Sequence, residues 1–144
     1  MLAFVLVLFG CGTVNPGQDV QLAQIIYDQN FFYCQVEPML FAQGCGSGKS
    51  GTDPASGCHF NLPTFPLTEH NPVPCSGNTP QDLSISAEAQ NNYRAASREM
   101  SPDASQAPLL RRPTQQALHP RKIFESDSPQ ADLIREWATK YTSQ

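Results

Sequence analysis

Four cysteines in the middle of this chain limit how its central segment can fold. They are Cys34, Cys45, Cys58 and Cys75, and a fifth cysteine, Cys11, stands near the start. Outside the reducing cytosol, an even number of thiols predicts covalent cross-links, and four cysteines allow three disulfide pairings. The chain also has 13 prolines and 9 glycines, which predict long loops. A fold of this kind gains stability from a covalent staple or a bound cofactor.

The first residues read as an export signal. Residues 1–11 are almost wholly apolar and end in Leu8-Phe9-Gly10-Cys11, which resembles a bacterial lipobox. We therefore expect a signal peptide over 1–11, a lipid on Cys11, a tether over 12–18 and one folded domain over 19–144. Because no Lys or Arg precedes the apolar run, two alternatives stay open: a secretory signal cleaved elsewhere, or a buried strand. Either export route places the protein in the bacterial cell envelope, lipid-anchored or periplasmic.

The spacing of apolar residues predicts a mainly α fold with long loops rich in proline and glycine. The expected helical segments are 28–42, 86–100, a short turn over 102–110, and a last helix from Pro129 to about Tyr141. Pro38 is expected to kink the first helix and Gly44 to end it. Ser84 or Ser86 should cap the second long helix, and Ser128 should cap the last.

Cys58 is followed directly by His59. A cysteine, a spacer and then Cys-His is the pattern of a covalently attached haem, in which two thiols bond to the vinyl groups and the histidine binds iron. The usual spacer is two residues, whereas twelve residues, 46–57, separate Cys45 from Cys58. On this interpretation Cys45 and Cys58 hold one haem c, and His59 is its proximal ligand.

The disulfide pairing of the remaining cysteines depends on whether Cys45 and Cys58 carry haem. If Cys45 and Cys58 carry haem, Cys34 and Cys75 form one disulfide. If they do not, the four cysteines form two disulfides in one of three pairings, and His59 is an ordinary surface histidine.

Three blocks of the chain resemble small bacterial c-type cytochrome domains. The run 36–40, followed by a cysteine and then Cys58-His59, resembles their opening. The run 131–137 resembles their closing helix, which packs against the first. The run 108–114, followed by Leu118-His119-Pro120, resembles the segment that supplies a distal histidine in one periplasmic subgroup. The resemblance implies a cytochrome c-like bundle of three to five helices.

This resemblance makes His119 the expected distal ligand of the haem iron. Met100 is the alternative, because a thioether ligand raises the reduction potential. His70 is a third candidate, although Asn71-Pro72 beside it predicts a solvated turn. Aromatic residues that could form the walls of a haem pocket are Phe31, Phe41, Phe60, Phe65 and Trp137.

The expected function is electron transfer rather than catalysis. The partners would be redox proteins of the cell envelope, with the chain acting alone or as a subunit of a larger complex, and a lipid anchor would attach it to the membrane. The net charge of −4 excludes a basic footprint for nucleic acid and favours a basic docking surface on the partner. The alternative function is a non-enzymatic, disulfide-stapled envelope lipoprotein that acts as an interaction or assembly module.

Overall fold

A computed structural model describes residues 24–46, 59, 64–81 and 84–144. The predicted leader and tether, with Cys11, lie outside the described residues, as do Cys58 and Phe60. Across the part that is described, the secondary-structure elements occur in the following order: β1 Ile25–Tyr27, α1 Gln29–Phe31, a π-helix Phe32–Val36, α2 Glu37–Ala42, β2 Cys75–Ser76, β3 Thr79–Pro80, α3 Ala87–Arg98, a 3-10 helix Ala104–Gln106, α4 Pro108–Arg111, α5 Pro129–Thr139 and β4 Tyr141–Ser143. None of these helices is long and apolar enough to cross a membrane.

The first helix is continuous and contains a π turn just before its proline. The carboxylate of Asp28 caps the helix by accepting a hydrogen bond from the Phe31 N–H at 3.0 Å. Pro38 has no N–H, and in a regular α-helix its ring would meet the carbonyl of Cys34. The wider π turn over Phe32–Val36 accommodates this defect, so the predicted kink is a local widening of the helix.

The first helix ends at Gly44, as predicted, and its ending directs Cys45 into the protein. Gly44 has a φ of 71°, and its N–H donates to the carbonyl of Phe41 at 2.9 Å. The N–H of Cys45 donates to the carbonyl of Leu40 at 3.0 Å. These two bonds form a Schellman motif, in which glycine tolerates the left-handed conformation. The chain turns back, and Cys45 is buried at 7% exposure.

The two other long helices begin where their capping residues predicted. The hydroxyl of Ser86 accepts from the Ala89 N–H at 3.2 Å at the start of α3. The hydroxyl of Ser128 accepts from the Ala131 N–H at 3.3 Å at the start of α5, and Pro129 follows at the first helical position.

The core is an aromatic cluster between the first helix, α3 and α5. Trp137 of α5 packs on Phe32 with ring centres 5.1 Å apart and on Tyr27 at 5.4 Å. Its indole N–H donates to the carbonyl of Asp28 at 2.8 Å. The hydroxyl of Tyr93 on α3 donates to the carbonyl of Tyr27 at 2.7 Å. These two buried aromatic donors therefore have backbone partners.

Two short antiparallel ribbons complete the fold, and the helical prediction did not include them. β1 pairs with β4 in the register Tyr27 to Tyr141, so the two ends of the described chain lie side by side. β2 pairs with β3 through a two-residue turn in which Gly77 has a φ of 60°.

The predicted disulfide between Cys34 and Cys75 is present and joins β2 to the first helix. Across the described residues the architecture is therefore mixed, with four helices (the first helix, α3, α4 and α5), irregular segments and a few small strands, and the prediction of a mainly α bundle is correct only in its helical part.

Candidate functional site

His59 and His119 lie opposite one another beside the core. Their ring centres are 6.2 Å apart, and their ring planes differ by 18°. The edge of Phe65 contacts the His59 ring at 4.8 Å between centres. We call the space bordered by these three residues with Leu109 and Pro113 the paired-histidine pocket. The fold thus brings together the two predicted histidine ligands, which are sixty positions apart in the chain.

Backbone hydrogen bonds fix both histidines. The carbonyl of His59 accepts from the Leu67 N–H at 3.1 Å. The Nδ1 of His119 lies 2.5 Å from the carbonyl oxygen of Arg121, so it carries the proton and donates. In the neutral form of His119, this tautomer leaves the lone pair of Nε2 available to a ligand. A second hydrogen bond of this kind is what orients metal-binding histidines in proteins.

The paired-histidine pocket consists of two adjoining small cavities of about 30 Å³ each. Five residues border both cavities: His59, Phe65, Leu109, Pro113 and His119. The first cavity is completed by Glu99, Pro108 and Arg112, and the second by Leu40, Gly44, Cys45, Arg121 and Ile123. The shared walls are largely apolar, and arginine side chains stand at the margins of both cavities.

His59 is held in a way that disfavours its charged form. Burial is the main reason that its pKa lies below the usual value of 6.5, and the charges of His119 and Arg112 lower the pKa further, while a hydrogen-bond interaction of the ring with the Phe65 backbone raises it. The Nδ1 atom of His59 is buried and has no hydrogen-bond partner among the described residues. A buried, unpaired ring nitrogen is costly, so this position calls for a ligand or another partner.

The other predicted site residues divide into two groups. Cys45 borders the second cavity of the pocket, whereas Cys58 lies outside the described residues. Met100 packs against the core and borders neither cavity, so the residue facing His59 is His119. Of the predicted aromatic walls, Phe65 borders the pocket, while Phe31 and Trp137 belong to the core.

His70 differs from its prediction, because its side chain is only 8% exposed rather than solvated. Its Nε2 lies 2.8 Å from Oε1 of Glu37, and its Nδ1 lies 2.7 Å from the carbonyl oxygen of Asn71. Asn92 donates to the same Glu37 oxygen at 2.8 Å and to the carbonyl of Thr68 at 2.8 Å. We call His70, Glu37, Asn92 and Thr68 the His70 network. The partners of Glu37 are 33 and 55 positions away in the chain, and no local sequence signal marks them.

The pKa values in the His70 network follow from its burial. Burial raises the pKa of Glu37, and the hydrogen bonds from His70 and Asn92 and the charge of His70 offset this only in part. Burial lowers the pKa of His70, but the hydrogen bond and charge of Glu37 outweigh it, and the Asn71 backbone and Glu88 add to the rise. The net pKa of His70 is therefore raised, opposite to that of His59.

Within the described ranges, no group of three or more His, Cys, Asp or Glu side chains is placed to hold a metal ion. Comparison of the chain with known protein families, with curated proteins and with solved structures finds no significant match. The function is therefore inferred from the chain's own residues.

Proposed function

We propose that this protein carries one haem c with His59 and His119 as its two axial ligands, and that it passes single electrons in the bacterial cell envelope. The observation that carries the proposal is the pairing of these two rings across an apolar pocket, 6.2 Å apart between centres. The fold that accompanies this function is a small c-type cytochrome-like domain, here with two added ribbons.

The separation of the ring centres is compatible with two imidazoles that share one iron ion, on the condition that ring nitrogens of this stacked pair turn toward each other. At a metal–nitrogen distance of about 2.0–2.1 Å, two such nitrogens stand about 4 Å apart, and each ring adds roughly 1 Å between nitrogen and ring centre. The expected separation of the ring centres is thus about 6 Å, close to the separation in the structure. A two-histidine donor set also suits haem, because the porphyrin supplies the other four nitrogens of the iron.

The surroundings of the two rings support the same function. The carbonyl of Arg121 holds the proton on Nδ1 of His119, which directs Nε2 toward a ligand. Burial lowers the pKa of His59, and a neutral imidazole is the form that binds metal. Phe65, Leu109 and Pro113 give the space beside the rings a largely apolar lining.

The size of the pocket sets a condition on the proposal. Each cavity of about 30 Å³ has room for about one water molecule, so a porphyrin requires the walls to move apart. Arg112 and Arg121 border the cavities and suit the two propionate groups, because guanidinium groups bind carboxylates strongly, although a propionate on Arg112 would have to replace Glu99, which pairs with it at 2.8 Å. The thiol of Cys45 borders the second cavity and would form one thioether, and Cys58, next to His59 in the chain, would form the other.

When bound, haem c supplies reversible one-electron cycling between ferrous and ferric iron. The chain's own residues hold the imidazoles on both sides, keep each ring in one orientation and limit the access of water. Two imidazole ligands give a lower reduction potential than histidine with methionine. The N-terminal Cys11 would attach the domain to the membrane through a lipid, consistent with an envelope location.

Expression in a bacterial host with the haem c maturation machinery tests the proposal. We expect a purified protein whose intact mass is raised by one haem and whose reduced absorption band survives acidified organic extraction. Replacement of His119, in H119A, should convert a six-coordinate low-spin spectrum into a five-coordinate one. The M100L variant is the matched control, and its spectrum should equal that of the wild type.

Two results would contradict the proposal. One is a colourless protein whose mass is that of the bare mature chain. If Cys45 and Cys58 then form a second disulfide beside the one at Cys34 and Cys75, the alternative of a stapled envelope interaction module is supported. The other is a spectrum changed by M100L and unchanged by H119A, which would assign the distal position to Met100.

A further inference from the structure

The segment that carries His119 differs in charge from the rest of the chain. Residues 111–122, which we call the basic turn, contain four of the chain's nine Lys and Arg residues and no Asp or Glu. The whole chain nevertheless has a net charge of −4. The positive charges of the basic turn are Arg112 and Arg121, which border the pocket and which the proposed function assigns to the haem propionates, and Arg111 and Lys122, which border neither cavity. The region beside the paired-histidine pocket is therefore locally basic on an acidic protein.

Among the described residues, two of these charges are paired with neighbouring carboxylates, and Arg111 is bonded to a neutral group. Arg112 pairs with Glu99 at 2.8 Å, and Lys122 pairs with Glu125 at 2.9 Å. The side chain of Arg111 donates instead to the neutral backbone carbonyl of Gln116 at 3.4 Å. The pair of Lys122 and Glu125 is exposed and contributes little to stability, whereas Glu99 in the other pair is only 15% exposed. Arg111 and Lys122 are therefore the positive charges that the basic turn can offer to an incoming acidic surface.

A single apolar side chain stands at the centre of the basic turn. Leu118 is 97% exposed, whereas the next most exposed large hydrophobic side chain among the described residues, Tyr141, is 44% exposed. The turn around it is folded, because the N–H of Ala117 donates to the carbonyl of Arg111 at 3.0 Å and the N–H of Ile123 donates to that of Pro113 at 2.8 Å. The backbone therefore holds Leu118 in water, next to His119.

We infer that the basic turn is the docking surface for a redox protein that presents an acidic patch around an apolar spot. An apolar centre with a charged rim is the usual anatomy of a protein interface. Complementary charge would draw an acidic partner to this turn, while the acidic remainder of the chain would repel it elsewhere. The identity of the partner as a redox protein rests on the proposed function, but the charge and shape of the surface do not.

This inference reverses the expectation drawn from the net charge. A chain of charge −4 suggests a basic partner, whereas the side chains beside the pocket suggest an acidic one. The local charge, rather than the net charge, should determine which partner binds here, because interactions between exposed charges are screened beyond about 10 Å at 0.1 M salt. Docking here would place the partner against the outer wall of the pocket, since Arg112 borders the first cavity.

Paramagnetic mapping by NMR tests the surface without any redox reaction. The redox-inert anion hexacyanochromate(III) is added to the ¹⁵N-labelled, matured protein at low ionic strength, and the cation hexaamminechromium(III) is added to a parallel sample. We expect the anion, and not the cation, to broaden the amide signals of residues 115–122. The variant R111Q/K122Q should lose this broadening. The control R94Q/K140Q, which removes the same charge beside other grooves, should retain it.

Kinetics with an acidic one-electron protein tests docking itself. Flavodoxin is mixed with the haem-loaded protein, and the second-order rate constant of electron transfer is measured against ionic strength. We expect the rate constant to fall as salt is added, to fall about tenfold in R111Q/K122Q at low salt and to fall several-fold in L118S. The control R94Q/K140Q should change it less than twofold.

The outcomes separate this inference from the proposed function. If the protein carries haem but the anion broadens signals elsewhere or nowhere, the docking inference is overturned and the electron-transfer proposal stands. A rate constant that rises with salt for flavodoxin overturns it as well. If the protein carries no haem and the anion still maps to residues 115–122, the electron-transfer proposal fails, and the turn remains a surface that binds acidic partners.

Discussion

His59 and His70 are both largely buried, but they differ in the hydrogen-bond partners of their ring nitrogens and in the direction of their pKa shifts. Both ring nitrogens of His70 have protein partners, one on Glu37 and one on the carbonyl of Asn71, and its pKa is raised. His59 has a buried Nδ1 without a partner among the described residues, and its pKa is lowered. A satisfied histidine stabilises a fold, whereas a buried ring nitrogen without a protein partner needs another one, such as a water molecule or a ligand. The contrast separates a structural site from a candidate ligand site without reference to any known protein.

Removal of the disulfide between Cys34 and Cys75 should have the largest effect on stability. This bond closes a loop with a sequence separation of 41, for which the chain-entropy relation gives about 4 kcal/mol. The loop carries both His59 and His70. In C34A/C75A, urea unfolding should therefore show a free energy of unfolding lower by about that amount. A loss below about 1 kcal/mol would mean that the helix and loop are held by packing alone.

Replacement of Glu37 by alanine should have the next largest effect. E37A leaves His70 and Asn92 without their shared buried acceptor, and losing one member of a buried pair costs about 3–5 kcal/mol. The control S105A removes a hydroxyl that donates to Asp103 at the exposed 3-10 helix and should cost less than 1 kcal/mol. If E37A unfolds at the wild-type urea concentration, the His70 network does not stabilise the fold.

Removal of a polar group at His59, unlike removal of Glu37, should not lower the free energy of unfolding. In the protein expressed without haem maturation, H59F removes an unpaired buried nitrogen and keeps a flat ring against Phe65. We expect the free energy of unfolding to stay the same or to rise by about 1 kcal/mol. The matched variant H70F should lose stability, because it leaves Glu37 without its imidazole. A loss in H59F as large as that in H70F would remove the distinction between the two sites.

The smallest expected effect is a difference in titration between the two histidines. By NMR, the ring protons of His70 should titrate above pH 6.5 and those of His59 below it. A raised folded pKa stabilises the fold below the unfolded value of 6.5 and loses that contribution as pH rises through the folded pKa. A lowered folded pKa destabilises the fold at low pH instead. The free energy of unfolding should therefore decrease, through His59, as the pH falls from 6.5 toward the folded pKa of this histidine. Equal titration midpoints would contradict the comparison.

The sequence predicted those parts of the fold that are encoded locally. Ser86, Ser128 and Gly44 mark helix ends through bonds to residues within five positions, so the helix boundaries could be read from the chain. The short ribbons could not be predicted, because strands of two or three residues have no periodic pattern. The partners of Glu37 could not be predicted either, since contacts across dozens of positions leave no local signal. His59 and His119 were named together because of a family resemblance, and their separation in space is what the structure adds.

The β1 and β4 ribbon joins the two ends of the described chain. The N–H of Gln24 donates to the carbonyl of Gln144 at 3.0 Å, and the N–H of Gln144 returns a bond to Gln24 at 3.1 Å. A mechanical load applied between these ends would therefore open the ribbon one hydrogen bond at a time, from Gln24 and Gln144 inward. The helices and the disulfide would carry no tension until the ribbon had opened. The ribbon would therefore be the first element of the domain to yield under load.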